Sequence, residues 1–533
     1  MPDKSAKIVM SSRYEQNWQL FSGVHVIGAI HNGSRWIYGK ALAETIAVAI
    51  ESENIQEVLG AFNGSFAFIA SHRGKLIAAV DWMRSYPLFW TETPEGVCVG
   101  NNAWELTGAG RRENWNELAV QEFSMAGFVS GNETLLNNLY QLQAGQWLQV
   151  NETGSTEVSF WDTEVFADSG RDESLSLNQA MEKLEAAYEM LSFRLVDFLN
   201  GRQAVVPLSG GHDSRCILWM LYKRGYKNVF TFTYGRKNNY EAEVAEKVAA
   251  ALGYPWQFIE YAPQMWQSLY NDDPEFQRFS LFAGNLCSLP HESDFFALKQ
   301  LRDKKMLSED VVFLPGSTPL ATSQIMQRWD TPMKWTNLHN RIYESFYGLS
   351  PDISSSVGLR FCRKRIPLPE NIDQISPERF FETWYWRNAE TKIFFNSQRS
   401  FEYFGCKWHL PLADRYLMKL YATIPSKYYR QKIIFNRFVE RISRQCNLPA
   451  RKDPPPDWRK KIIKKIISFV GLGVQLRRLI NRRNRLNHPL CYYDVVPKSQ
   501  WHRLESMPDP GQHFGCNAAL ESMMTAEKNR CRI

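Results

Sequence analysis

Between residues 59 and 90 apolar positions alternate with small or polar ones, and turn signals fall between the runs. Phe62-Asn63-Gly64-Ser65-Phe66-Ala67-Phe68-Ile69-Ala70, then His72-Arg73-Gly74, then Leu76-Ile77-Ala78-Ala79-Val80 read as strand, turn and strand, the period-2 punctuation of antiparallel pairing. Gln146–Val150 and residues 157–161 repeat the pattern on either side of an Asn151-Glu152-Thr153-Gly154 turn. Residues 1–161 are therefore expected to form a strand-rich unit, and polar residues 168–174 to link it to the next one. Beyond the linker the rhythm changes. A helical pattern covers 177–199, a short apolar strand 204–208, a helix 215–224, a strand 229–233, a helix 241–252 and a strand 256–259. Such alternation predicts a parallel sheet with helices on both faces, an α/β unit spanning 175–455. Within it 375–445 is aromatic-rich at helical spacing, and Pro454-Pro455-Pro456 closes it. Residues 456–533 form an extension.

Composition narrows the class. At 533 residues, 44% hydrophobic, 22% charged and 14% aromatic, the chain has the apolar surface to fold and the length for two or three domains. Its longest nearly uncharged apolar run, 466–476, is about half of the roughly 20 residues a membrane-spanning helix needs. With no secretory pattern at the start, a cytoplasmic protein is expected. Nine scattered cysteines without a Cys-x-x-Cys pair read as reduced thiols rather than a zinc or thiol-exchange site. The net charge of +7 is concentrated, because residues 458–485 carry ten Lys/Arg and no acid. Nucleic acid is an unlikely partner for a chain whose basic character is confined to one segment.

The strongest chemical signal is Val205-Val206-Pro207-Leu208-Ser209-Gly210-Gly211-His212-Asp213-Ser214-Arg215, a strand running through Ser-Gly-Gly-x-Asp-Ser into a helix. Two glycines let the backbone turn and expose successive N–H groups, the helix N-terminus adds partial positive charge, and two serine hydroxyls add donors for a pyrophosphate. The aspartate can hold Mg²⁺. The bland alternative is a Ser/Gly turn capped by an aspartate. A Walker A loop is excluded: Gly33-Ser34-Arg35-Trp36-Ile37-Tyr38-Gly39-Lys40-Ala41 has one residue too many between its glycines and Ala in place of Ser/Thr.

The 209–214 loop resembles the pyrophosphatase loop of the ATP-pyrophosphatases, and Phe230-Thr231-Phe232-Thr233-Tyr234-Gly235 with Glu241-Ala242 resembles the next strand and helix of the asparagine synthetase family. Asn63 to Phe68, Asp81 to Tyr86, Gly127-Phe128 and Leu142-Gln143-Ala144-Gly145-Gln146 are similar, in order, to that family's glutaminase domain. Ser400-Phe401-Glu402, Leu410-Pro411-Leu412-Ala413-Asp414 and Ile424-Pro425 resemble its C-terminal helical signature. The resemblance implies an Ntn-type αββα domain over 1–161, followed by an adenine nucleotide α-hydrolase-like parallel-sheet domain with added helices. It also implies an ATP-dependent, AMP-forming amide ligase: a carboxylate attacks the α-phosphate of Mg·ATP, and an amine or ammonia displaces AMP. Under it Ser209, Gly210, Gly211 and Ser214 bind pyrophosphate, Asp213 ligates Mg²⁺, and Phe232 and Thr233 line the adenine pocket. Glu402 matches an acid that helps deprotonate the amine, its alternative being an ordinary helix-paired glutamate. Lys452 resembles a lysine that stabilises the adenylation or acyl-transfer transition state.

Two departures shape the expectation. Glutamine-using enzymes of this family expose an N-terminal cysteine as nucleophile, whereas this chain begins Met-Pro-Asp-Lys and its first cysteine is Cys98. Glutaminase activity is therefore expected to be absent, and Asn63-Gly64, which look like the oxyanion-hole pair, to have nothing to stabilise. Where the family carries an acidic loop, 311–321 has no carboxylate, so either Asp294 substitutes in space or a second metal contact is weakened. The substrate is expected to be a small-molecule or peptide carboxylate. An intramolecular amine would make the protein a cyclase of the β-lactam synthetase or lasso-peptide type, and a non-catalytic nucleotide-binding scaffold is the reading of a different class. Ile462, Ile463, Ile466, Ile467 and Val470 recur at helical spacing among lysines, so 458–485 covers the domain's core, docks on a partner or contacts an anionic membrane surface.

Overall fold

The computed structural model describes residues 6–11, 18–107, 114–162, 171–318, 320, 325, 332–350, 353–370, 372–450, 473–507 and 509–528. The N-terminal unit holds two sheets. The larger contains β2 (Gln19–Phe21), β3 (Val24–His31), β4 (Trp36–Tyr38), β5 (Asn63–His72), β6 (Lys75–Val80), β10 (Gln146–Val150) and β11 (Thr156–Phe160), ordered β11-β10-β6-β5-β3-β2 with β4 on β3. The smaller contains β1 (Lys7–Val9), β7 (Phe89–Thr93), β8 (Gly96–Gly100) and β9 (Leu139–Gln141), ordered β1-β8-β7-β9.

Strand β5 explains the layering. Its pleat sends Ala67 and Ile69 to one side, where they meet Leu88, Trp90, Val97 and Val99 of the smaller sheet. Phe66, Phe68 and Ala70 point the other way, onto Leu42, Ala43 and Ile46 of α1 (Gly39–Glu51), which is followed by α2 (Ile55–Ala61). A strand buried on both faces reads as a continuous apolar run, which Phe66 to Ala70 is. On the outer face of the smaller sheet, α3 (Ala103–Leu106) and α4 (Glu117–Ala126) bring Ala103, Leu106, Ala119 and Phe123 against Phe89 and Leu139. The result is the four-layer αββα arrangement.

The second unit opens with α5 (Leu177–Leu199), fixed by a Ser176/Gln179 capping box and ended by Asn200 in the left-handed region. Then β12 (Gln203–Pro207), α6 (His212–Lys223), β13 (Val229–Gly235), α7 (Tyr240–Leu252) and β14 (Trp256–Glu260) succeed one another. After them come α8 (Pro263–Asp272), α9 (Pro274–Gly284), α10 (Phe295–Asp303), β15 (Val311–Phe313) and β16 (Lys407–Trp408). Every pairing in this sheet is parallel, in the order β14-β13-β12-β15-β16. The chain therefore begins at the centre, builds outward through β13 and β14, and then resumes on the opposite side of β12.

The two units are bonded closely. A π-helix, Trp386–Phe394, buries Lys392, whose ammonium donates to the carbonyls of Val129 and Gly131 at 2.7 and 2.8 Å. Asn388 accepts from the Gly131 N–H, and Val129 and Leu135 donate backbone N–H groups to the carbonyls of Cys287 and Leu286. Arg415 forms a buried ion pair with Asp162 at 2.8 Å. The C-terminal extension crosses both units, with Cys516, Ala519 and Met523 of the helix Pro510–Lys528 sharing a core with Phe123 and Leu286. The eight described cysteines are free thiols.

Removing one partner of a buried ion pair strands the other charge. Arg415→Ala is expected to destabilise the protein by about 3–5 kcal/mol, read by urea denaturation. A loss below ~1 kcal/mol would show that solvent or a new partner compensates Asp162.

Candidate functional site at the carboxyl ends of the central strands

In a parallel sheet whose order reverses, the loops leaving the two strands at the reversal diverge and leave a crevice. Here those strands are β12 and β15, and the loop leaving β12 is Ser-Gly-Gly-x-Asp-Ser. The helix expected from about 215 starts earlier, at His212, because Gly211 takes an extended conformation (φ −78°, ψ 176°) and caps it. His212, Asp213 and Ser214 thus lie in the first turn of α6, whose cap, Gly211, has no side chain to bond its N–H groups.

The loop is laced by its serines. The Ser209 N–H donates to Ser214 Oγ at 3.2 Å, the Gly211 N–H donates to Ser209 Oγ at 3.2 Å, and the two hydroxyl oxygens are 3.3 Å apart. Its glycines serve close approach rather than an unusual φ. A Cβ on Gly211 would lie 3.1 Å from Ser209 Oγ, and one on Gly210 would lie 3.4 Å from the Glu241 Cα. From the other strand, Gly316 approaches so near that a Cβ there would sit 3.0 Å from the Ser214 nitrogen.

Asp213 meets a residue that sequence reasoning missed. Lys432 Nζ lies 3.7 Å from Asp213 Oδ1, with the lysine side chain 6% exposed and the aspartate 32%. Gln431 and Lys432 both have positive φ (65° and 51°) immediately before the helix Ile433–Gln445. Left-handed backbone at a residue with a Cβ costs about 1–2 kcal/mol, so two in succession mark a lysine held in place by its surroundings. The same helix reaches α6 again through Asn436 Oδ1, 3.0 Å from His212 Nδ1. Behind Lys432, on the π-helix, lies Glu390, buried, with no hydrogen-bond partner for its Oε2 among the described residues. Burial raises the Glu390 carboxyl to about 7, opposed by the Tyr385 hydroxyl and the Lys432 charge. No local pattern marks either residue, since each acquires its place through contacts distant in sequence.

Phe232 is fully buried, edge-on to Phe313. Thr233 Oγ1 donates to the Leu208 carbonyl at 2.6 Å and accepts from Trp256 Nε1 at 2.9 Å, which fixes β13 beside the loop. Asp294 Oδ1 accepts from the Tyr234 hydroxyl at 2.6 Å, with His291 3.5 Å from its other oxygen. Among the described residues no group of three or more His, Cys, Asp or Glu side chains is placed to hold a metal. The donor set at the loop still fits Mg²⁺ carried by a nucleotide, which needs only one or two protein carboxylates because phosphate and water supply the rest. Glu402 is buried, ion-paired with Arg399 and within 3.2 Å of Trp408 Nε1. It lines a cavity of about 720 Å³ between the two units, with Gly28, Tyr86 and His409. Lys452 lies outside the described residues, as does most of 319–331, beyond the loop from β15.

In the N-terminal unit the Asn63 amide donates to Asp414 Oδ2 at 2.8 Å, and its oxygen accepts the Arg415 N–H at 3.0 Å. Asn63 therefore fastens the two units together. Cys98 lies in β8 of the smaller sheet, paired with Thr91 and Lys7.

Residues 31–161 match the glutamine amidotransferase domain family, and residues 203–269 match the queuosine biosynthesis protein QueC family. The chain joins an amidotransferase-type domain to a QueC-like ATP-pyrophosphatase domain. That order is consistent with asparagine synthetase-type architecture. Two 7-cyano-7-deazaguanine synthases, from Caldicellulosiruptor bescii and Parabacteroides distasonis, are 40% identical over 60 and 58 residues. These stretches are 11% of this chain and 27% and 26% of theirs, so the chain spans about a quarter of the length of these curated relatives. Among solved structures, the NH3-dependent NAD synthetase of Campylobacter jejuni is 14% identical, covering 37% of this chain and 99% of its own, at a TM-score of 0.20. Glutamine phosphoribosylpyrophosphate amidotransferase of B. subtilis is 12% identical, covering 68% and 81%, at 0.18. At such scores the strand order, not the neighbours, carries the fold.

A carboxyl raised to about 7 holds a proton in the folded chain that the unfolded chain, near 4.5, has released. Its contribution to stability is fully present below the unfolded value and is lost as pH rises through 7. Glu390→Gln is expected to melt higher than the parent above pH ~7, by up to about 3 kcal/mol, with the gap closing toward pH ~5. A pH-independent gap in a melting series would show that Glu390 is ionised throughout.

Proposed function

We propose that the protein is an ATP-dependent, AMP-forming amide-bond ligase that activates a carboxylate as an acyl-adenylate and transfers the acyl group to an amine or ammonia. The observation that carries this reading is the joint placement, at the sheet's reversal, of the α6 N-terminus, two serine hydroxyls, the Asp213 carboxylate and the buried Lys432 ammonium. A pyrophosphate leaving group is met best by donors that are already aligned, because they need no reorganisation as charge develops. Ser209, Gly210, Gly211 and Ser214 supply those donors, and Lys432 supplies a fixed positive charge whose approach is set by strained backbone. Asp213 would hold Mg²⁺, which when bound neutralises phosphate charge. Phe232 and Thr233 would shape the adenine side through β13. Glu402 would accept the amine's proton and Lys452 would serve acyl transfer, both as the resemblance implies.

The amine comes from outside the N-terminal unit in this reading. Asn63, the candidate oxyanion donor, is committed to Asp414 and Arg415, and Cys98 lies within the smaller sheet. The acyl substrate is a small-molecule or peptide carboxylate.

Calorimetric titration of the purified protein with ATP, with and without Mg²⁺, tests the reading without knowledge of the acid. Losing one charge-assisted contact should weaken Mg·ATP binding about 10- to 100-fold in Asp213→Asn and in Lys432→Met. Binding as tight in Asp213→Asn as in the parent would reject the assignment of this loop.

A further inference from the structure

The helix Gly473–Asn487 is amphipathic in the reverse of the usual sense. Its polar side faces the protein: Asn481 is 2% exposed and donates to the carbonyls of Glu505 and Met507 at 2.9 and 2.7 Å. Arg485 pairs with Asp494 at 3.1 Å, and Arg482 with Glu505 at 2.8 Å. Leu476, Leu479, Ile480, Arg483 and Leu486 succeed one another at helical spacing, so they form one stripe. That stripe faces away. Leu479, Ile480 and Leu486 are 62%, 41% and 72% exposed, and Arg477 and Arg483 are exposed among them. The helix has five arginines and no acid; Arg478, Arg482 and Arg485 pair with Glu505 or Asp494, and Arg477 and Arg483 stand on the outer side.

We infer that this helix lies flat in the interface of an anionic lipid bilayer, its leucines and isoleucine entering the acyl boundary and Arg477 and Arg483 meeting lipid phosphates. Exposed apolar residues framed by cations are the two halves of an interfacial helix, one supplying burial and the other attraction to acidic headgroups. The charge pattern selects lipid over the other occupants. A second copy would set the exposed Arg477 and Arg483 against the same two charges with no acid on the helix between them, and a nucleic-acid backbone would leave the central leucines on a polar surface. Insertion is superficial, since no helix among the described residues is long and apolar enough to cross a membrane.

The helix is fastened to the ligand end of the parallel sheet. Where it ends, the Pro489 carbonyl accepts from the Arg236 N–H at 2.6 Å, and the Arg485 carbonyl accepts from the Arg236 guanidinium at 3.4 Å. Arg236 comes directly after β13, so a bilayer holding the helix holds that end of the sheet near its surface. The inference rests on the helix alone and stands whether or not the chain is a ligase.

Co-sedimentation of the full chain with vesicles decides it. Phosphatidylcholine vesicles containing about one third phosphatidylglycerol should retain at least ~10-fold more protein than phosphatidylcholine alone, and ~0.5 M salt should release most of it. The exposed-residue variant Leu479→Ser/Ile480→Ser/Leu486→Ser and the charge variant Arg477→Glu/Arg483→Glu should each lose binding while melting at the parent's temperature. Equal retention on both vesicle types, no retention, or full retention of the triple variant would overturn the proposal. So would preferential binding to duplex DNA, or self-association in gel filtration that the triple variant abolishes.

Discussion

A sheet that grows outward from its first strand and then restarts on that strand's other side leaves a gap that neither set of crossover helices covers. In this protein the first strand is β12, and the gap opens between its loop and the loop from β15. Three separate parts of the chain converge there. The first turn of α6 brings Asp213 and Ser214, the loop from β15 brings Gly316 to the Ser214 nitrogen, and the start of the helix Ile433–Gln445 brings Lys432. Their chemistry depends on that topology: without the reversal the α6 N–H groups would be packed under a connection.

Much of this was legible from local pattern. Strands near 204–208, 229–233 and 256–259 and helices near 177–199 and 241–252 are where periodicity predicts them, because caps and turns are written within a few residues. The early start of α6 was missed because Gly211 does the capping with ordinary extended backbone, which composition does not reveal. Glycines expected to supply a tight turn instead permit close approach, to Ser209 Oγ and to Glu241. Lys432 and Glu390 were illegible for a different reason. Their roles arise from ion pairing and burial between segments far apart in the chain, and a lysine in an Arg-Gln-Lys run carries no sign of which charge it will meet.

The C-terminal extension shows the same limit at larger scale. Its charge suggested a segment set apart, yet the helix Pro510–Lys528 puts Cys516, Ala519 and Met523 into a core shared with α4 and α9. An arginine count does not tell which of them turn inward, and the inner face of Gly473–Asn487 joins Asn481, Arg482 and Arg485 to two backbone carbonyls and two acids. Partner choice within the chain is decided by where Glu505 and Asp494 fall in three dimensions.

The buried ammonium of Lys392 bears on how such a chain can diversify. Its acceptors are two carbonyls of the N-terminal unit, and the next layer of bonds runs through Asn388, Asn63 and Asp162. Cutting that unit away would strip Lys392 of its acceptors, Arg415 of its carboxylate and the carbonyls of Leu286 and Cys287 of their donors. Point changes can therefore alter what the first unit does, but a gene truncation cannot discard it. The two units hold together as one piece, and the side chains free to change without loosening it are those that do not face the other unit.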